Sequence, residues 1–330
     1  MKHEKQHKIL YIDDWPFVDP LTISGNGLGA SIFKLAAFSD AAAAGYQVEL
    51  LTTKFKKQLL NQAREIFEIH TTVDTIAWDS YEKIISMGIL DTARIDQPNK
   101  EFYPFTKKDR LEYKSTAHID FWRRFSARAL NMSIPTSPAQ VELHIKEREL
   151  EDARELLSAP GQWIAVSTQV ISPLKDYAGW SEFIDLLLAE NFNVLLLGNE
   201  SMLYKEHPQI LNMCGKTDIE LLKALIATAE AFVGNDGLNA NLALFLKTPA
   251  VVLFSMISPE SVIDPHQELR SPVSPLISRG CPQQFCYSKI SNYRNAGCLW
   301  NIEKGTVLAP VQCLQFKAAD ILEELKKVLS

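Results

Sequence analysis

The sequence has no apolar run approaching the roughly 20 residues that a helix needs to cross a bilayer, so a membrane-spanning helix is excluded. It has no basic excess. Its 34 Lys and Arg stand against 40 Asp and Glu, a formal net charge of −6, which argues against a nucleic-acid partner. Met1 to Lys8 is charged and lacks the apolar core of a secretory signal peptide, so the expected setting is the cytoplasm. Cysteine is scarce. Five in 330 residues are too few for a disulfide scaffold, and a cytoplasmic setting keeps thiols reduced. What remains is an ordinary soluble composition, 46% hydrophobic and 22% charged, long enough for two domains.

Along the chain, strands and helices are expected to alternate in two series. Lys8 to Ile12 reads as a buried strand with Asp13 and Asp14 at its carboxyl end. A loop leads to Gly25-Asn26-Gly27-Leu28-Gly29-Ala30, then Ser31 to Ala44 is apolar at helical spacing and Gln47 to Thr52 reads as a strand. This is a βαβ unit, although the glycine spacing is not that of a dinucleotide fingerprint. Phe55 to Arg64 is expected to be helical, with strands at Ile66 to Val73 and Lys83 to Met87. From Gly88 to Ala117 the periodicity fades, and an irregular segment is expected, either an acceptor-binding loop or a poorly ordered excursion. His118 to Met132 reads as a helix whose aromatics suit core packing. The Pro-containing stretch from Ile134 to Pro138 begins a linker. A second series follows: strand Trp163 to Ser167, helix Trp180 to Glu190, strand Asn193 to Leu197, helix Ile219 to Thr228, strands Ala231 to Val233 and Ala250 to Phe254, and a terminal helix Ala318 to Leu329. The expectation is an α/β protein of two Rossmann-like domains facing a cleft, over 1–135 and 161–330, with 136–160 as linker and helix.

One stretch carries most of the chemistry. Ala231 to Val233 runs into Gly234-Asn235-Asp236-Gly237, and a helix is expected at once from Leu238. A strand that hands directly to a helix leaves backbone N–H groups and a helix dipole that favour an anion. Two readings stand: Asp236 or Asn235 merely caps a core helix, or the junction holds a nucleotide diphosphate.

The second half resembles the ADP-heptose:lipopolysaccharide heptosyltransferase family, inverting glycosyltransferases of the two-domain GT-B fold. The resemblance rests on Ser167-Thr168, Lys175 ahead of Trp180, Leu197-Gly198-Asn199-Glu200, Cys214-Gly215-Lys216-Thr217 before a Leu-rich helix, and Gly234-Asn235-Asp236 through Ala243 to Phe254. It implies an ADP-sugar donor, with a lipopolysaccharide core or a protein Ser/Thr as acceptor. No cofactor would be needed for the transfer itself. Asp236, Gly237 and Leu238 would meet the sugar and diphosphate, and Lys175 would neutralise diphosphate charge; on residues alone Lys175 is equally a solvated surface lysine. Glu200 would accept from the ribose, and Ser167 or Thr168 would donate to phosphate. Asn241 stands where the family usually has His.

A second departure matters more. The family's Gly-rich turn typically ends in Gly-Asp with that Asp as base, and here the position is Ala30. Alanine takes no proton. Either another carboxylate serves, with Asp13, Asp14 and Asp19 nearby and His118 and His266 further off, or the chain is inactive, or it is a base-removed variant. Finally, Cys281-x4-Cys286-x11-Cys298-x14-Cys313 offers four thiols, enough for a tetrahedral structural iron or zinc; separate thiols are the alternative. Some heptosyltransferases that modify autotransporter proteins carry an iron-holding finger similar in number and place, though not in spacing, which leans the expected acceptor towards protein. An oligomer is compatible with the sequence.

Overall fold

The computed structural model describes residues 7–13, 28–61, 63–74, 76–88, 101–137, 141–168, 172–199, 206–263, 272–278, 280–290, 297–306 and 311–330. Asp14, Asp19, the turn through Gly25 to Gly27, Glu200 and His266 lie outside them. The chain divides into two compact units, 1–144 and 145–330.

The first unit contains β1 (His7–Ile12), α1 (Leu28–Ala43), β2 (Tyr46–Leu51), α2 (Lys54–Leu60), β3 (Glu68–His70), β4 (Lys83–Ser86), β5 (Glu101–Tyr103), α3 (Lys107–Lys114) and α4 (His118–Leu130). Its sheet runs β3-β2-β1-β4-β5, with every pairing parallel. A strand covered on both faces needs side chains that are apolar on both sides, and Ile9 to Ile12 of β1 are fully buried. Phe105, Phe121, Trp122 and Phe125 close the core beside α4.

The second unit contains α5 (Glu147–Leu156), β6 (Trp163–Ser167), α6 (Trp180–Ala189), β7 (Asn193–Leu197), β8 (Ile210–Asn212), α7 (Ile219–Thr228), β9 (Ala231–Asn235), α8 (Leu238–Leu246), β10 (Ala250–Phe254), α9 (Pro259–Val262), β11 (Val273–Ile277), α10 (Leu299–Glu303) and α11 (Ala318–Leu329). Its sheet runs β11-β10-β9-β6-β7-β8, again all parallel. Ala318, Ile321, Leu322 and Leu325 of α11 join Phe183, Ile184 and Leu187 of α6 in this unit's own core. Among the described residues no helix is long and apolar enough to cross a membrane.

Both sheets have the doubly wound order in which the chain starts centrally, winds to one side, then returns to the other. The switch points fall between β1 and β4 in the first unit and between β6 and β9 in the second.

Two expectations need correction. Residues 101–117 are not irregular: β5 adds an edge strand and α3 a helix. Both lack periodicity because β5 is only three residues long and α3, KKDRLEYK, is almost wholly polar. What starts α3 is local chemistry, a capping box in which the Thr106 hydroxyl accepts from Asp109 N (3.2 Å) and the Asp109 carboxylate accepts from Thr106 N (2.8 Å). The expected helix over Phe55 to Arg64 likewise ends early, at Leu60.

Candidate functional site

At the second unit's switch point, β6 ends at Ser167 and β9 at Asn235, with Ser167 registered against Gly234. Glycine is needed at 234 because a Cβ there would meet the Phe232 ring at 2.6 Å and the Ser167 carbonyl at 3.1 Å. Close approach of the two strand ends depends on its absence. Gly237 then turns the chain into α8 in an extended conformation, and no side chain caps the helix. The capping reading of Asp236 or Asn235 is therefore set aside. Asp236 directs its carboxylate to Lys175, whose Nζ donates to Oδ2 at 2.5 Å and to the Asp236 carbonyl at 3.0 Å. The Asn235 amide, on a residue only 4% exposed, has no hydrogen-bond partner among the described residues.

Lys175 reaches this point from a 3-10 turn, Pro173–Lys175, capped by the Ser172 hydroxyl accepting from Leu174 N at 3.3 Å. Its side chain is 12% exposed, so it is not a solvated surface lysine. The pair is near the surface but shielded, and an ammonium has three donors of which two are directed at Asp236. Beside it, Asn239 Nδ2 donates to Ser167 Oγ at 2.9 Å, a link from α8 to β6. Thr168 and Asn241 are buried, while Gly237 and Leu238 are half-buried. Lys175, Asp236, Ser167 and the uncapped start of α8 thus meet where the strand order reverses. Such a place suits an anion flanked by hydroxyl-bearing groups. Cys214 to Thr217 is a turn, with Gly215 in the left-handed region (φ 69°), ahead of α7.

The four late cysteines are free thiols, Cys281, Cys286 and Cys313 buried and Cys298 half-buried, and they lie near enough to interact electrostatically. Burial, with the neighbouring sulfurs acting in the same direction, pushes the Cys286 thiol up to about 11 and Cys313 up to about 12. Protons are thus held tightly until a cation compensates, which is how a metal reverses thiol ionisation. Their sulfurs are grouped without any three standing within 4.8 Å of one another; among the described residues the set that does so is Glu49, Glu68 and His70. Glu49 there already takes Lys8 at 2.6 Å, Tyr81 at 2.5 Å and His70 at 2.9 Å, so both of its oxygens are engaged by other groups.

The first unit's switch point is filled differently. Asp13, directly after β1, is fully buried. Lys34 and Lys56 ion-pair with it, the latter at 3.1 Å, and Ser31 and Thr52 donate hydroxyls at 3.0 and 3.4 Å. Burial pushes its carboxyl up, but the two ammonium groups outweigh that and hold it well below the usual carboxylate range. A carboxylate so stabilised is a poor proton acceptor. Ala30 lies in the first turn of α1 and is half-buried. His118 is buried, stacked on Tyr113 with ring centroids 4.2 Å apart.

Two arrangements escaped the sequence reading. Lys34 sits in an apolar run from Ile32 to Phe38, and a lone lysine there signals a buried partner. Asn239 carried no signal at all.

The model of glycosyltransferase family 9 (heptosyltransferase) matches residues 93–279, more than half the chain. The chain belongs to this family. Among solved structures, a family 9 glycosyl transferase from Veillonella parvula is 12% identical with a TM-score of 0.67, over 100% of this chain and 98% of that one. ADP-heptose lipopolysaccharide heptosyltransferase II of E. coli is 15% identical with a TM-score of 0.63, over 98% of each. TibC of enterotoxigenic E. coli, described as an iron-containing dodecameric glycosyltransferase, is 15% identical with a TM-score of 0.61, over 99% of this chain and 77% of that one. These likenesses give the chain the GT-B fold. No curated protein sequence matches it.

Proposed function

We propose that the chain transfers a heptose or related sugar from an ADP-sugar to a hydroxyl acceptor with inversion. The observation that carries this reading is the Lys175–Asp236 pair at the uncapped start of α8. The acceptor oxygen forms its bond to the anomeric carbon as the bond to diphosphate breaks, and the acceptor proton passes to a base. Negative charge grows on the departing diphosphate, where Lys175 and the α8 amides stabilise it. Ser167 or Thr168 donates to phosphate, Glu200 accepts from the ribose, and Asp236, Gly237, Leu238 and Asn241 line the sugar and diphosphate. The family likeness supports the donor class, and TibC has been solved with ADP-D-β-D-heptose. The transfer step needs no metal. Cys281, Cys286, Cys298 and Cys313 have the donor set for a structural iron or zinc, whose contribution when bound is to tie their segment together. That segment favours a protein Ser/Thr acceptor over a lipopolysaccharide core.

Ala30 supports a second reading, a nucleotide-sugar-binding protein that does not turn over. Donor consumption with ADP-D-β-D-heptose and each acceptor class, with and without Ala30→Asp, separates the two. Restored transfer in Ala30→Asp identifies the base position. Equal transfer by the parent chain assigns the proton to another carboxylate, of which Asp19 is the nearest candidate in sequence and Asp14 the next. No transfer by either, with ADP still bound, leaves the binding-protein reading.

A further inference from the structure

The residue before Lys175 points away from the donor site, into the cysteine segment. Leu174 is 4% exposed and packs in one apolar cluster with Met256, Cys286, Tyr287 and Ile290, against which Cys298, Leu299 and Val311 are also laid. The backbone is tied to the same place. Ser255 Oγ donates to the Leu174 carbonyl at 2.9 Å, while Phe285 N donates to the Ser255 carbonyl at 3.4 Å and Tyr287 N to the Met256 carbonyl at 3.0 Å. Phe285 itself is held in the left-handed region (φ 58°, ψ 40°) immediately before Cys286. An aromatic residue adopts that conformation at a cost and keeps it only where its surroundings enforce it. Apart from short helical turns, the described parts of residues 280–314 have no regular structure. Their order rests on this apolar cluster, in which Cys286 sits and against which Cys298 packs, and on hydrogen bonds such as Gln284 Nε2 to the Ser278 carbonyl at 2.9 Å.

We infer that the cysteine segment is the seat of Lys175: acting through Leu174, it sets where the ammonium stands against Asp236 and α8, and so couples the state of the four thiols to the grip on a nucleoside diphosphate. This rests on the donor reading above. Leu174 and Cys286 are then positioning residues, acting only through the lysine. A change that loosens the seat, whether a cavity at 174 or a lost sulfur at 286, lets the ammonium leave its place without touching the ligand.

The test is a double-mutant cycle read by isothermal titration of ADP into the full chain, comparing Leu174→Ala and Cys286→Ser in the parent and in Lys175→Ala. Residues that act through one another are strongly non-additive, whereas general damage adds. In the parent background each change is expected to weaken ADP on the order of tenfold, the scale of one charge-assisted contact. In Lys175→Ala each should change it less than about twofold, within the usual additivity error. Leu174→Met, which conserves volume, keeps the cycle readable if the alanine variant does not fold, and should give a smaller effect of the same sign. In a Cys214→Ser background, reversible thiol blocking with methyl methanethiosulfonate should weaken ADP binding and dithiothreitol should restore it, with neither step visible once Lys175 is gone. Equal losses in both backgrounds, or no loss in the parent, overturn the inference while leaving the donor site standing. Unchanged ADP binding in Lys175→Ala itself overturns the donor reading, and the inference falls with it.

Discussion

The two units share one topology and fill its switch point in opposite ways. In the first, the carboxyl end of β1 is closed by a buried ion cluster in which Asp13 answers two lysines, Lys34 and Lys56. In the second, the carboxyl ends of β6 and β9 present a single shielded pair, Lys175–Asp236, beside a helix start that no side chain caps. The same geometry that gathers backbone dipoles in both units is neutralised internally in one and left available in the other. Charge at a switch point therefore says little by itself; what matters is whether its partners are already satisfied.

The largest effect that sharpens this contrast belongs to Asp13→Ala. Two buried ammonium groups would lose their counter-charge, and a loss of about 3–5 kcal/mol in stability is expected, measured by denaturant unfolding. A loss under about 1 kcal/mol would mean that the cluster is not structural. Next comes acid. Burial pushes the Glu49 carboxyl up, but hydrogen bonds from Lys8, Tyr81 and His70 outweigh it and bring it from 4.5 down to about 2. A depressed carboxyl stabilises fully above its unfolded value, and that stabilisation is lost as pH falls from about 4.5 towards 2. It amounts to roughly 3 kcal/mol at neutral pH. Glu49→Gln should flatten the acid limb of the stability curve; an unchanged limb would break the assignment.

In the second unit the balance shifts from stability to binding. Lys175→Ala should cost about 1–3 kcal/mol of stability, less than Asp13→Ala because one shielded pair near the surface is broken and not a fully buried cluster, yet weaken ADP on the order of tenfold or more. Asp236→Asn removes a negative charge facing the diphosphate. ADP should bind as well or up to several-fold tighter while sugar transfer falls; weaker ADP binding would show that Asp236 holds the lysine in place for the ligand. The smallest effect is on stability in Ala30→Asp. α1 has no acidic residue in its first turn, and a carboxylate there meets the positive end of the helix dipole, so a gain of about 0.3–1 kcal/mol is expected. A loss exceeding 1 kcal/mol would mean that position 30 has no room for a base.

Much of this fold can be read from the chain because its central strands are covered on both faces. β6, β7 and β10 coincide with their apolar runs, and α7, α8 and α11 with their periodic stretches. The edges were harder for physical reasons. β8 is three half-buried residues and β11 contains Pro275, which an edge strand tolerates and a central one does not. At the site, residue types were legible but partnerships were not. Lys175 and Asp236 lie 61 positions apart, and no local pattern announces that one answers the other. Asp13 stood at a strand end where ligands bind, and only the packing reveals that two lysines from α1 and α2 already hold it.

The most direct test of the donor site is titration of ADP into the parent chain and into Lys175→Ala. The account predicts saturable one-to-one binding by the parent and at least about tenfold weaker binding by the variant. Failure of the parent to bind ADP, or equal affinity in the two proteins, would contradict it.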